Sequence, residues 1–395
     1  MPCKLVNVIS SFTNKEVIVP SSDAENQDLV REILSRLPVK SLVRFKCVSK
    51  EWFALLNEEF ILKNNILSIL YLHSHEGGHH HHKFSLLDRN VDTLSSPAFF
   101  LDQSIESVQI VGSDNGLVCL HLLEDGIETE QIVVWNPLTK QYKKLPKPLS
   151  LEGEVKEKRN MRTPKVGFGF IQGHGMDIDY KLVRISLRNY RRLATQVSTR
   201  SSKSWRELED SNLSCFGIDK ESSITLNGVL YFLSWTTYSR GLNDNGWRVF
   251  SFNLHDEVFH SIPLPSDNSG SRSLFAWNNL VACSLCSDRL STQYDVWVMR
   301  TESGDATQMP TSWNWTKQVT MKQPDGWIYC YPYGVWDNQF ILIKYRPDSH
   351  KDAYHLKHLC AYDLGNQKER VLIGPERLGG YRRQVVDYVE SLVSV

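Results

Sequence analysis

Asn115-Gly116-Leu117-Val118-Cys119-Leu120, followed by Val133-Val134-Trp135-Asn136-Pro137-Leu138-Thr139, is the stretch that decides the fold. The first run is apolar and opens on a turn dipeptide. The second is apolar, ends on an aromatic residue, and passes through a polar turn into a return strand reaching Pro146. Apolar segments flanking a polar turn signal a β-hairpin. Both elements recur. Asn- or Asp-initiated strands stand at 65–72, 115–120, 179–185, 227–233, 279–285 and 338–345. Hairpins with an aromatic or apolar anchor follow at 84–94, 133–146, 196–208, 249–263, 295–319 and 359–373.

The hairpins recur about every 55 residues, a period longer than that of WD repeats and close to that of kelch-like blades. Six such sheets set radially make a β-propeller, which leaves only short protected edges. The last apolar segment, 385–392, reads as a further strand able to close the ring. A two-sheet β-sandwich with irregular strands is the alternative. In the propeller reading Trp135, Trp297 and Tyr362 occupy matching positions and pack, buried, between neighbouring blades. The fifth hairpin carries a long insertion, 301–313.

Composition narrows the function. The 395 residues carry 45 basic and 45 acidic side chains, a net charge of zero. A binder of nucleic-acid phosphates shows a basic surplus, which is absent here. No apolar run approaches the ~18 residues of a membrane span. The first twenty residues make a poor secretory signal. The 8 cysteines are spread over the whole chain, which argues for reduced thiols in the cytosol or the nucleus.

Residues 1–24 read as a flexible leader. From Asp28, a plausible N-cap, Leu29, Val30, Ile33, Leu34 and Leu37 fall on one helical face, and Pro38 stops the helix. Ser41 is expected to cap a second helix carrying Leu42, Phe45 and Val48, and Ser49 a third carrying Trp52, Phe53, Leu55, Leu56 and Phe60. Three short helices bury too little surface for much independent stability. The run from Asp28 to Leu42 (DLVREILSRLPVKSL) and on through Phe45-Lys46-Cys47-Val48-Ser49-Lys50-Glu51-Trp52 resembles an F-box of the plant type. Glu25 and Asn26 stand where that family has Leu-Pro, a pair that helps seat the F-box on its Skp adaptor.

The remainder resembles the plant F-box-associated domain. The matching stretches are Gly112 to Leu120, Trp135-Asn136-Pro137-Leu138-Thr139, Gly167-Phe168-Gly169-Phe170, Asp179 to Arg184, Leu226-Asn227-Gly228, Phe252-Asn253-Leu254, Asp295 to Met299 and Tyr388 to Leu392. That family includes the S-locus F-box proteins of self-incompatibility and relatives with other targets. The expected organisation is an α+β multidomain protein: a three-helix F-box over 25–66, then an all-β, kelch-like propeller of about six blades over 67–395.

Four motifs invite other chemistry. His73, His75 and His79 to His82 flank Gly77-Gly78; a solvated loop is the expectation, because a metal site needs fixed geometry. Cys283-x-x-Cys286 is a single pair, read as buried apolar thiols. Gly167-Phe168-Gly169-Phe170 lacks the third glycine and the helix of a phosphate loop and reads as a strand or bulge. Arg188-Asn189-Tyr190-Arg191-Arg192 reads as a solvated basic loop. No nucleophile–base–orienter set can be assembled from sequence.

The resemblance implies an adaptor rather than an enzyme, without cofactor or metal, nucleic acid or membrane. Its partners are a Skp-type adaptor, through it a cullin ligase, and a target protein. The adaptor-facing residues carried over are Leu29, Ile33, Leu34, Leu37, Pro38, Leu42, Val48 and Trp52. Target capture is expected on the segments joining each Asn-initiated strand to its hairpin, with Tyr190, Arg191, Trp235, Tyr238 and Arg240 as candidates. A propeller enzyme acting on carbohydrate, or a scaffold working outside any ligase, are the competing classes.

Overall fold

The computed structural model describes residues 33–34, 37, 39–45, 47–48, 50, 61–76, 79–87, 93–95, 105–124, 130–152, 154, 164–172, 178–189, 192–209, 217–236, 246–266, 272–286, 293–301, 313–322, 329–336, 339–346, 356–366, 368–373 and 382–395. The chain divides into two compact units, Met1–Leu62 and Lys63–Val395.

The first unit holds helix α1, Val39–Phe45, with Arg44 in its last turn, where a cation complements the helix dipole. The N–H groups of Cys47 and Val48 donate to the carbonyls of Arg44 and Phe45 at 3.1 and 3.0 Å, closing the helix in a tight turn. Two expectations change. Ser41 is the third residue of α1 and not its cap, because the helix already begins at Val39. Val48 lies beyond the helix and is exposed. Ile33 and Leu34 are helical; the rest of the first expected helix, apart from Leu37, and the third, apart from Lys50, lie outside the described residues.

Among the described residues the second unit is β throughout, and six four-stranded sheets succeed one another along the chain. Sheet 1 holds β1 (Ile61–Glu76), β2 (His79–Leu87), β3 (Thr93–Ser95) and the chain's last strand, β24 (Arg382–Ser391), in the order β24-β1-β2-β3. Sheet 2 holds β4 (Ile105–Asp114), β5 (Leu117–Glu124), β6 (Glu130–Trp135) and β7 (Tyr142–Lys144). Sheet 3 holds β8 (Lys165–Gln172), β9 (Ile178–Arg188), β10 (Arg192–Thr199) and β11 (Arg206–Glu207). Sheet 4 holds β12 (Gly217–Leu226), β13 (Val229–Thr236), β14 (Gly246–Asn253) and β15 (Phe259–Pro263). Sheet 5 holds β16 (Arg272–Trp277), β17 (Leu280–Cys286), β18 (Gln293–Thr301) and β19 (Trp313–Lys322). Sheet 6 holds β20 (Tyr329–Trp336), β21 (Gln339–Arg346), β22 (Leu356–Asp363) and β23 (Glu369–Ile373).

The first strands of successive sheets touch, β4 with β8, β8 with β12, β12 with β16 and β16 with β20. In sheet 1 that first place is taken by β24, which touches β4. This is the order of a β-propeller, and it excludes a two-sheet sandwich. The expected Asn-initiated strands are the second strands of the sheets, and the expected hairpins are the third and fourth. The first strands β4, β12, β16 and β20 escaped notice. Register shifts in β4, β12 and β20 break the alternation of period two, and β12 is polar through Asp219-Lys220-Glu221-Ser222-Ser223.

Three of the asparagines also need a correction: Asn115, Asn227 and Asn279 belong to turns and not to strands, whereas Asn65 lies within β1 and Asn338 outside the described residues. Asn115-Gly116, Asn227-Gly228 and Asn278-Asn279 all take positive φ and join first to second strands. Two consecutive left-handed residues make the type I′ turn whose twist matches a hairpin. The third-to-fourth turns share a device too. The Asn136 Oδ1 accepts from the N–H of Leu138 and Thr139, that of Asn253 from His255 and Asp256, and that of Asp363 from Gly365 and Asn366.

Apolar clusters fill the spaces between successive sheets. Phe84, Val118, Trp135 and Tyr388 join sheets 1 and 2; Cys119, Ile132, Phe168 and Tyr180 join sheets 2 and 3. Val183, Leu230 and Phe250 join sheets 3 and 4; Leu233, Val249 and Cys283 join sheets 4 and 5; Phe275, Val296, Phe340 and Tyr362 join sheets 5 and 6. Both faces of a sheet are thus covered, so its second strand reads as a continuous apolar run. Trp135 is fully buried against Phe84, with ring centroids 5.2 Å apart, and Tyr362 is buried. Trp297 packs against the same side of its sheet but is only half-buried.

Gly167-Phe168-Gly169-Phe170 is plain strand within β8. A Cβ on Gly167 would stand 2.5 Å from Leu230 Cδ2, and one on Gly169 2.7 Å from Thr225 Cγ2. These glycines let sheet 4 approach sheet 3. Cys283 and Cys286 are buried in β17, and burial pushes the Cys283 thiol far above its ordinary pKa.

Candidate partner-binding surface

Antiparallel strands alternate in direction. The turns joining first to second and third to fourth strands therefore lie at one end of each sheet, and the connectors joining second to third lie at the other. The first end carries the repeated turns just described and, in sheet 5, the long third-to-fourth connector 302–312. The second carries connectors of unequal length at 77–78, 125–129, 189–191, 237–245, 287–292 and 347–355. They are shorter than the expected segments 73–83, 121–131, 186–195, 234–248, 286–294 and 346–358, because the strands run on into them.

Of the target-facing candidates, Trp235 is described; Tyr190, Arg191, Tyr238 and Arg240 lie outside the described residues. Trp235, near the end of β13, pairs with Trp247 at the start of β14. Their rings meet edge to face, 5.7 Å apart at 70°. The Arg272 guanidinium, at the start of β16, sits 4.4 Å over the Trp247 ring, a cation–π contact. Burial lowers the Arg272 pKa. Trp235, Trp247 and Arg272 are all half-buried. This aromatic and cationic group spans the connector ends of sheets 4 and 5. Sequence reasoning singled out Trp235 alone; a Trp at each foot of one connector was the signal available for Trp247, whereas Arg272 comes from another sheet.

A second polar group ties sheets 2 and 3. His121 Nε2 lies 3.0 Å from Glu130 Oε2, Arg184 Nε bonds Glu130 Oε1, and Arg184 Nη2 lies 2.7 Å from Glu154 Oε1. Burial alone would raise the Glu130 pKa, but the His121 hydrogen bond and the Arg184 charge outweigh it and hold the carboxyl below its ordinary value. Every charge here faces another, so the group reads as a brace between sheets. Arg188, of the expected basic loop, lies in β9 and pairs with Glu207. Among the described residues no cluster of His, Cys, Asp and Glu could hold a metal ion. No described helix is long and apolar enough to cross a membrane.

In the first unit Leu34 and Leu42 are 1% and 0% exposed, Ile33 and Leu37 are half-buried, and Val48 is 56% exposed. Leu29, Pro38 and Trp52 lie outside the described residues. The burial divides a set that sequence alone left undivided: Leu34 and Leu42 serve packing, and Val48 faces outward.

A small N-terminal unit followed by a β-propeller defines the class, and the family comparisons agree. The F-box domain family matches residues 26–63, and the F-box associated beta propeller domain family matches residues 67–343. The chain belongs to the F-box-associated β-propeller family and carries an F-box. It is 26% identical over 335 residues to an Arabidopsis thaliana F-box/kelch-repeat protein, a match covering 81% of this chain and 85% of that one. An F-box protein and a putative F-box protein from the same plant are each 28% identical, over 70% and 65% of this chain and 69% and 63% of theirs. The match to the last spans less than two thirds of its length. Among solved structures, TolB from Acinetobacter baumannii aligns with a TM-score of 0.40 at 9% identity, over 71% of this chain and 61% of that one. That likeness is too low to support any inference.

Proposed function

We infer that this chain is the substrate-recognition subunit of a Skp–cullin–F-box E3 ubiquitin ligase. The F-box docks on the Skp adaptor, the propeller captures a target protein, and other subunits transfer ubiquitin and commit the target to the proteasome. The observation that carries this reading is the presence in one chain of an F-box at 26–63 and a propeller from 67 onward. The logic is proximity: holding a target beside a charged conjugating enzyme raises its effective concentration. The chain is an adaptor and not a catalyst, and it works in the cytosol or the nucleus.

Two structural readings belong to the same proposal. The F-box is a three-helix unit, and the six sheets are six blades closed into a ring by β24. Adaptor contact falls to exposed and half-buried positions such as Ile33, Leu37 and Val48. Target capture falls to the connector end, where sheets 4 and 5 present Trp235, Trp247 and Arg272. Connectors that vary on a rigid scaffold are the usual carriers of specificity.

The test is co-purification of the full chain with a Skp adaptor and a cullin, then affinity capture and mass spectrometry with the proteasome blocked. Stoichiometric recovery of the adaptor supports the reading. Catalytic turnover by the isolated chain on a carbohydrate, or a chain that leaves the adaptor behind, would overturn it.

A further inference from the structure

Leu145 and Lys147 each precede a proline, Pro146 and Pro148. A residue before proline avoids the helical region and proline fixes its own φ, so the chain that leaves β7 runs on extended. It lies along the third-to-fourth turn of sheet 3. Lys143 Nζ donates to the Arg200 carbonyl, Trp205 Nε1 donates to the Pro146 carbonyl at 2.7 Å, and Gln196 Nε2 donates to the Leu149 carbonyl at 2.7 Å. Residues 140–149 and the turn 199–205 therefore form one surface. It begins at the end that carries the repeated turns and follows the last strands of sheets 2 and 3.

Two independent features converge here. The first is charge. Lys140, Lys143, Lys144, Lys147, Arg200 and Lys203 are all basic, and among the described residues none of them forms an ion pair. Neighbouring cations are matched: Lys181 and Arg206 share Glu257, and Arg188 has Glu207. The whole chain has a net charge of zero, so this surface is a local surplus. The second feature is apolar exposure. Tyr142 and Leu149, in the same segment, are large apolar side chains that the fold leaves exposed.

We propose that this surface docks an extended acidic segment of a partner protein, rich in Asp and Glu with apolar residues between them. Like charges held together repel one another, and an acidic partner relieves that repulsion. The positions from Tyr142 to Leu149 extend over roughly 20 Å at about 3.1 Å per residue. A single phosphate gathers its ligands around one point, often through the fork of an arginine; here the cations are mostly lysines, separate point charges spread along the chain. A nucleic acid calls for a basic surplus over the whole chain, and exposed Tyr142 and Leu149 suit a peptide better than a phosphate backbone. Pro146 and Pro148 have no N–H to donate, so docking rests on side chains and not on strand addition. The surface is separate from the connector end assigned to target capture.

The test uses the full chain and a short fluorescein-labelled peptide of Asp-Glu-Leu repeats, read by fluorescence anisotropy at physiological ionic strength. The peptide should bind, and more weakly as salt rises. Lys144→Glu with Lys147→Glu and Lys203→Glu should weaken binding by about tenfold or more. The same change of charge made elsewhere, Arg300→Glu with Lys322→Glu and Lys368→Glu, should weaken it by no more than about twofold. All six positions are exposed, and thermal melts confirm that each variant folds. Glutamine at Lys144, Lys147 and Lys203 should give an intermediate loss, and serves if the charge reversal unfolds the chain. A peptide of Asp-Glu-Ser repeats should bind several-fold more weakly than the leucine peptide. Equal losses from both triple variants would mean that net charge, and not this surface, attracts the peptide. That result overturns the site, as would equal binding of the serine peptide, tighter binding of a single-stranded oligonucleotide of the same charge, or no binding at ~100 μM peptide.

Discussion

Asn136 holds Val393 across 257 positions of sequence: its Nδ2 donates to the Val393 carbonyl at 2.8 Å and to the Ser391 carbonyl at 3.0 Å. The same side chain accepts from Leu138 and Thr139 through Oδ1, at 2.9 and 3.1 Å. It is fully buried. One amide thus shapes the β6–β7 turn and latches the end of β24, the strand that joins the C-terminus to sheet 1.

Asn136→Ala should therefore cost about 2–3 kcal/mol, because one buried and one part-buried carbonyl lose their donor. Asn136→Asp keeps the turn but sets a carboxylate against both carbonyls and should cost more. Urea denaturation of the full chain measures both. A loss below ~0.5 kcal/mol for the alanine variant would deny the latch.

Trp135 fills the space between sheets 1 and 2 against Phe84. Trp135→Ala should cost about 3–5 kcal/mol as a core truncation. Phe84→Ala combined with it should be non-additive by about 0.5–1.5 kcal/mol, the worth of an aromatic pair beyond its buried area. A strictly additive double-mutant cycle would place the two rings in separate environments.

The brace between sheets 2 and 3 predicts a pH dependence. The Glu130 carboxyl titrates below the usual 4.5 in the folded chain. Its depressed value means that the ionised form stabilises the fold. That stabilisation is complete above pH 4.5 and is lost as pH falls through the lower folded value. Glu130→Gln should flatten this acid limb in pH-resolved thermal melts. Arg184→Ala, which strands Glu130 and Glu154, should cost about 3–5 kcal/mol at neutral pH. An unchanged acid limb in Glu130→Gln would remove Glu130 from this role.

Exposure separates two effects in the F-box. Val48→Asp should lower adaptor affinity by about 2 kcal/mol if Val48 is an interface anchor, with thermal stability unchanged. Leu42→Asp should unfold the unit, since it places a charge at a buried position. Adaptor binding by surface resonance, read beside a melting curve, distinguishes them. Wild-type affinity in Val48→Asp would take that residue out of the interface.

Trp235→Ala and Arg272→Glu should weaken target capture while leaving adaptor binding intact, as should changes at Tyr190, Arg191, Tyr238 or Arg240. Exchanging connectors with a relative of different target preference checks the end of the propeller involved. Specificity that followed the short turns at Asn115, Asn136 or Asn253 would reverse the assignment.

The F-box run and the repeat were legible because each rests on local chemistry. Asn115-Gly116 and Asn227-Gly228 need left-handed backbone, and Asn136, Asn253 and Asp363 cap their own turns. Each of these signals sits within a few residues of the structure it dictates. The first strands were hidden because bulges and polar stretches erase their alternation. The histidine tract looked like a loop because pairing with a partner strand leaves no mark in a run of one residue type.

By itself the sequence determined the class of each element, the turn chemistry, and the order of second strand and hairpin along the chain. Only the tertiary structure decided which side chains meet. Arg272 reaches Trp247 from the next sheet, and Arg184 finds Glu130 and Glu154 across an interface. Leu34 is buried and Val48 exposed although both read as apolar members of one surface. The physical reason is range. Backbone preference and hydrogen bonds to near neighbours are properties of a few adjacent residues, whereas burial and charge pairing depend on distances between segments that lie far apart in the chain.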